Sequence, residues 1–237
     1  LGSYGSVDRL AHFSYFSLPG GEQAIKEPWR IAAGLLEQFG IPATSVPTFL
    51  AGLSAEKIER VMSARAKGIN SPVTSSAGRL FDAVSALIGI CSHVSYEAQA
   101  AIELENAAGP VTGRKPPKPY PFTLRKERTP YMIDVAPMFS SIVSDLISGE
   151  SPALIARRFH MTMSQIIVAT VGEIARTTGV RKVALSGGVF QNHLLLDTVC
   201  RALKKSGFEV LTHVNVPCND GGLAFGQAVI AQAQRAA

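Results

Sequence analysis

Lys182-Val183-Ala184-Leu185-Ser186-Gly187-Gly188-Val189-Phe190-Gln191-Asn192 is the stretch from which the fold can be read. A short apolar run closed by a glycine pair predicts a buried strand over 182–185 and a sharp turn at Ser186-Gly187-Gly188. A helix is expected from about Asn192 to Ser206, then a strand from Phe208 to Thr212. A loop ending in Asn219-Asp220-Gly221-Gly222 leads into a last helix. Strand, glycine turn, helix, strand, helix is the order of a parallel or mixed α/β layer.

Upstream of it the pattern is mostly helical. Residues 152–178 predict one long helix stopped by Gly179, preceded by a helix over 137–147 and a strand near 131–135. Gly109 to Pro121 holds five prolines and reads as an extended, linker-like loop. Before it, helices are expected over 96–106, from 75–79 onward with Leu80, Phe81, Val84, Leu87 and Ile88 on one stripe, over 54–67, after Pro47, and from Pro28 to Phe39. Residues 9–16 read as a strand closed by the turn Leu18-Pro19-Gly20-Gly21.

Composition narrows the class. The 237 residues are 46% hydrophobic and 17% charged, with 21 glycines, 14 prolines and a mean hydropathy of +0.18, a globular and not a disordered balance. No run of 18 apolar residues is present, so a membrane span is not expected. Cys91, Cys200 and Cys218 show no CxxC spacing, which argues against a disulfide framework or zinc ribbon and fits a reducing cytoplasm. The net charge of +5 is scattered apart from Arg114–Lys118 and Arg125–Arg128, so a nucleic-acid partner is not expected.

Four places could carry chemistry. The Gly187-Gly188 turn lets backbone amides approach an anion at a helix start, and on this tetrapeptide alone a phosphate cradle and a plain tight turn stay equally open. Asp220 is either a helix cap or one ligand to a cation; capping is the commoner role, and one carboxylate needs phosphate oxygens, waters or further side chains to complete a shell. Gly78 and Asp82 share a helix face, where Asp82 either accepts hydrogen bonds from a ribose or favours the helix dipole. Tyr96, Glu97 and Gln99 read as surface or packing residues, and His160 as a satisfied, half-buried histidine. No Ser-His-Asp or Cys-His nucleophile set stands out, so no catalytic residue is assigned.

The blocks Thr74-Ser75-Ser76-Ala77-Gly78-Arg79-Leu80-Phe81-Asp82-Ala83-Val84, Ser95-Tyr96-Glu97-Ala98-Gln99-Ala100-Ala101-Ile102-Glu103-Leu104-Glu105, Leu185 to Asn192 and Val216-Pro217-Cys218-Asn219-Asp220-Gly221-Gly222 resemble the HypF carbamoyltransferases of nickel–iron hydrogenase maturation. Leu18 to Gly21, Glu27-Pro28-Trp29-Arg30 and Phe159-His160 extend the resemblance over essentially the whole chain. It implies an α/β fold of the actin-like ATPase class (ASKHA, ribonuclease H-like), a TsaD-type domain of which this chain is the later portion, with a helical insertion. Residues 1–130 would be a strand plus helical region with the proline-rich loop, and 131–237 an α/β lobe.

The implied activity uses carbamoyl phosphate and ATP. Carbamoyl-adenylate forms with release of pyrophosphate, and its carbamoyl group passes to the carboxyl-terminal cysteine of HypE on the way to cyanide ligands. By motif, Gly187, Gly188 and Asn192 correspond to nucleotide contacts, Gly78 and Asp82 to the adenosine side, and Asp220 to a ligand of a divalent metal, be it iron, zinc or magnesium. The family's metal histidines and its Asp-Gly-Thr-Gly phosphate loop should precede residue 1, so this chain alone is expected to be inactive. Ala98 stands where the family usually has Gly, Cys218 where Pro is common, and His193 where a basic residue is common. Two other functions fit the same residues: a small-molecule O-carbamoyltransferase of the same superfold, and a non-catalytic nucleotide-binding fragment.

Overall fold

The computed structural model describes residues 1–3, 5–46, 49, 52–109 and 117–235. The short helix expected after Pro47 and most of the proline-rich loop lie outside the described residues. Contacts divide the chain into two compact units, one made of Phe13–Thr123 and Ile133–Thr162, the other of Leu1–His12, Leu124–Met132 and Met163–Ala237. Both are discontinuous, whereas the division at 130/131 is one of sequence order.

The first unit is mainly helical. A short helix α1 (Glu22–Lys26) leads into α2 (Trp29–Gln38), started by Pro28, and α3 (Ala55–Ala66) begins where the Ser54 hydroxyl accepts the Lys57 N–H at 3.4 Å. The amphipathic stripe becomes α4 (Ala77–Leu87), whose residues 80–87 are all buried and which packs on α2 and on α5 (Gln99–Ala108). Trp29, Ile31, Leu35 and Leu36 from α2 meet this core, and Met138, Phe139 and Ile142 of α6 (Ala136–Ile147) are fully buried. Phe81 stacks edge-on against Phe159, with ring centroids 4.8 Å apart. The long helix α7 (Pro152–Thr178) has the predicted bounds.

The strands differ more from expectation. Residues 9–16 form two strands instead of one, β1 (Ala11–Phe13) and β2 (Phe16–Ser17), because Phe16 pairs with Thr74 in β3 (Val73–Thr74). The sheet order β1-β5-β4 adds β4 (Thr123–Arg125) and β5 (Tyr131–Asp134). The helix expected at Tyr96 starts three residues later, since Ala98 lies in the left-handed region at φ 61° and interrupts the turn.

In the second unit β6 (Lys182–Ala184) and β7 (Glu209–Leu211) pair in parallel, Val183 opposite Val210, as the strand–helix–strand order requires. The helix between them, α8 (His193–Lys205), buries Leu195, Val199 and Leu203. The buried strand expected at 182–185 is buried only at Leu185; Lys182 and Ala184 are exposed. The last helix, α9 (Leu223–Arg235), buries none of its residues. This unit carries eleven Lys and Arg against six Asp and Glu, while the helical unit carries twelve of each, so the net charge belongs to the second unit alone.

Candidate functional site

A parallel pair brings the carboxyl ends of its strands to one edge, and in open α/β sheets ligands gather at that edge. Two glycine loops leave it here. Past β6, Gly187 takes φ 104°, which an L side chain rarely adopts, and opens a single-turn helix over Gly188–Gln191. The N–H groups that start such a turn have no acceptor inside it, so they suit an anion. Past β7 the chain runs to Cys218, whose carbonyl accepts the Gly187 N–H at 2.8 Å. That bond places the Gly187-Gly188 turn beside the Asn219–Gly222 loop.

Each candidate residue can now be placed. Asn192 is 8% exposed and caps α8, its Oδ1 accepting the Leu195 N–H at 2.8 Å. Asp220 opens a second single-turn helix but is not its cap: Asn219 is, accepting the Gly221 N–H at 3.1 Å. The Asp220 carboxylate is exposed, as a ligand to an external group must be. Gly222 is required by close approach, since a Cβ there would sit 2.4 Å from the Pro217 carbonyl oxygen. Among the described residues no three His, Cys, Asp or Glu side chains group as a metal site, so Asp220 supplies at most one ligand.

Gly78 and Asp82 belong to the helical unit, on the first two turns of α4. Asp82 is 3% exposed, too deep and too far along the helix for a dipole role to explain it. Arg79 Nη1 stands 2.8 Å from its Oδ2, yet the two are misaligned as a hydrogen bond and both atoms are buried without one. Burial pushes the Asp82 carboxyl up to about 6, against the pull of Arg79. A buried carboxylate oxygen short of a donor is ready for a hydroxyl.

The same unit also holds Cys91, Gln99 and His160. Burial and then Glu103 raise the Cys91 thiol to about 11, which makes it inert as a nucleophile. Gln99, expected as a surface or packing residue, is half-buried; it donates to Glu103 at 2.7 Å and accepts the Ser95 N–H at 2.7 Å, which ties the loop before α5 to that helix. His160, expected half-buried, is fully buried; burial holds it down to about 4, and its Nδ1 is 2.8 Å from the Ala156 carbonyl.

Residues 1–227 match the family model described as "Carbamoyltransferase, Kae1-like Domain, second subdomain". The chain belongs to the HypF carbamoyltransferases. It is 38% identical over 235 residues to carbamoyltransferase HypF of Rhodobacter capsulatus, covering 99% of this chain and 29% of that protein. A crystal structure of full-length HypF in the phosphate- and nucleotide-bound form superposes with a TM-score of 0.86 at 38% identity, over 95% of this chain and 29% of that one. A tRNA N6-adenosine threonylcarbamoyltransferase of Thermotoga neapolitana is 28% identical over 163 residues, 68% of this chain and 47% of that protein. The expected TsaD-type α/β fold is therefore present, and the chain spans about three tenths of the HypF relatives' length. Among the described residues no helix is long and apolar enough to cross a membrane.

Proposed function

We propose that the chain is the nucleotide-holding later part of a carbamoyltransferase domain that acts in the cytoplasm. The domain moves a carbamoyl group from carbamoyl-adenylate, made from carbamoyl phosphate and ATP, to the carboxyl-terminal cysteine of HypE for hydrogenase maturation. The observation that carries this reading is the Gly187 N–H to Cys218 carbonyl bond, which joins an anion-binding turn and the exposed Asp220 in one wall. Membership of the family over residues 1–227 supports it.

In this reading the Gly187 N–H, held by the Cys218 carbonyl, fixes the turn, Gly188 presents its N–H to phosphate, and Asn192 keeps the start of α8 rigid behind it. Gly78 and Asp82 take the adenosine side by motif, the ionised Asp82 accepting from the ribose. Asp220 fits as one oxygen ligand of a divalent cation, the rest of whose shell comes from outside these residues. When bound, such a cation would stabilise the negative charge on phosphate oxygens. The thiolate comes from the acceptor protein, which is consistent with the inert Cys91.

Carbamoylation of a HypE tail by the full-length protein tests the assignment. Asp220→Ala should lower the rate about a hundredfold or more, in line with losing a charge-stabilising group. A wild-type rate removes Asp220 from the site.

A further inference from the structure

The Ser186 hydroxyl and the His213 imidazole, both exposed, lie 2.9 Å apart, Oγ to Nε2. Ser186 immediately precedes the Gly187-Gly188 turn, and His213 stands two residues beyond β7. The two loops at the carboxyl edge of the parallel pair are thus joined twice, by this side-chain bond and by the Gly187 N–H to Cys218 carbonyl bond.

The turn needs such a tie. A Cβ built on Gly187 would meet nothing within 4 Å, and one on Gly188 only the Gln191 amide oxygen at 3.9 Å, so packing does not hold the glycine pair. Two unpacked glycines retain wide backbone freedom, and a turn that must wait in one shape for an anion loses affinity to that freedom. Hydrogen bonds on both flanks remove it. Gly187 has the backbone bond and Ser186 has the imidazole.

We propose that His213 and Ser186 form a positioning pair that holds the Gly187-Gly188 turn in its anion-receiving shape, so that they set affinity for the phosphate-bearing end of a nucleotide. The inference rests on the nucleotide reading above. Both residues flank the glycine turn and neither belongs to the Gly78–Asp82 segment to which the adenosine side is assigned above, so the pair should affect charged ligands and not adenosine.

Isothermal titration of the full chain with magnesium-ATP and with adenosine tests it, on wild type, Ser186→Ala, His213→Ala, the double variant and His213→Gln, whose amide can replace Nε2. Each alanine variant should weaken ATP about three- to tenfold, the loss of one hydrogen bond. The double variant should be no weaker than either single, and His213→Gln should return to within about twofold of wild type. Adenosine affinity should not move. Unchanged ATP binding, additive single effects, or equal losses for ATP and adenosine each overturn the proposal. Wild-type chain that binds adenosine and not ATP overturns the phosphate reading itself, and the proposal with it. Ser186 is exposed, so its alanine variant keeps the test open even where His213→Ala fails to fold.

Discussion

Asp82 and His160 titrate against each other from within one apolar cluster, where the His160 ring packs edge-on against Phe81, the residue next to Asp82. Asp82 is raised to about 6 from an ordinary 3.8, so its stabilising contribution is complete below 3.8 and is lost as pH rises through 6. His160 is lowered to about 4 from 6.5, so its contribution is complete above 6.5 and is lost as pH falls through 4. Each shift corresponds to about 3 kcal/mol, with opposite signs in overlapping windows. Melting temperatures between pH 4 and 7.5 should show the two separately: relative to wild type, Asp82→Asn should lose stability on acidification, His160→Gln should lose it as pH rises, and the double variant should do neither. Parallel curves for the single variants would refute the opposition. The spacing of Gly78 and Asp82 was visible in the sequence, but the burial that shifts Asp82 comes from α2 and α5 packing on α4, which no local pattern expresses.

Among the elements, α5 shows how one residue moves a boundary. Periodicity from Tyr96 predicts a helix there, but Ala98 at φ 61° turns the chain, and the Gln99 side chain secures the turn by accepting the Ser95 N–H. A non-glycine residue in this conformation costs about 1 kcal/mol. Ala98→Gly should therefore raise stability by up to about 1 kcal/mol in urea titration without changing the slope. A loss of that size would mean that the Ala98 methyl contributes packing worth more than the backbone relief. Long amphipathic helices such as α4 and α7 were legible because their stripes repeat within the segment. Strands β3 and β4, of two and three residues, were not, since their only signal is a partner far away in the chain. The strand at 182–185 was placed correctly and buried wrongly, because an apolar run does not say whether anything covers it.

At the scale of the whole molecule, the motif blocks revealed the family, while the grouping of segments into two discontinuous units was not readable from their order. On α9, Leu223 and Phe225 are each 61% exposed, and Phe225, Gly226, Val229 and Ile230 line a hollow of about 660 Å³ with Gly2 and Ser3. A contiguous apolar face of this kind promotes association. Sedimentation velocity of the chain should show oligomers growing with concentration, and Phe225→Glu with Ile230→Lys should reduce them; monodisperse wild type at high concentration would show that α9 does not drive association.

The confinement of the +5 charge to the unit that holds Ser186–Asp220 bears on how fast an anion arrives. The net positive charge of that unit draws a polyphosphate in from beyond contact distance, over roughly the 10 Å that salt leaves unscreened at 0.1 M. The neutral helical unit adds no net attraction of its own. Stopped-flow mixing with ATP should therefore show an association rate that falls several-fold between low and high ionic strength, with little change in dissociation. Equal salt sensitivity of both rates would place the electrostatics in the bound contact instead of in the approach.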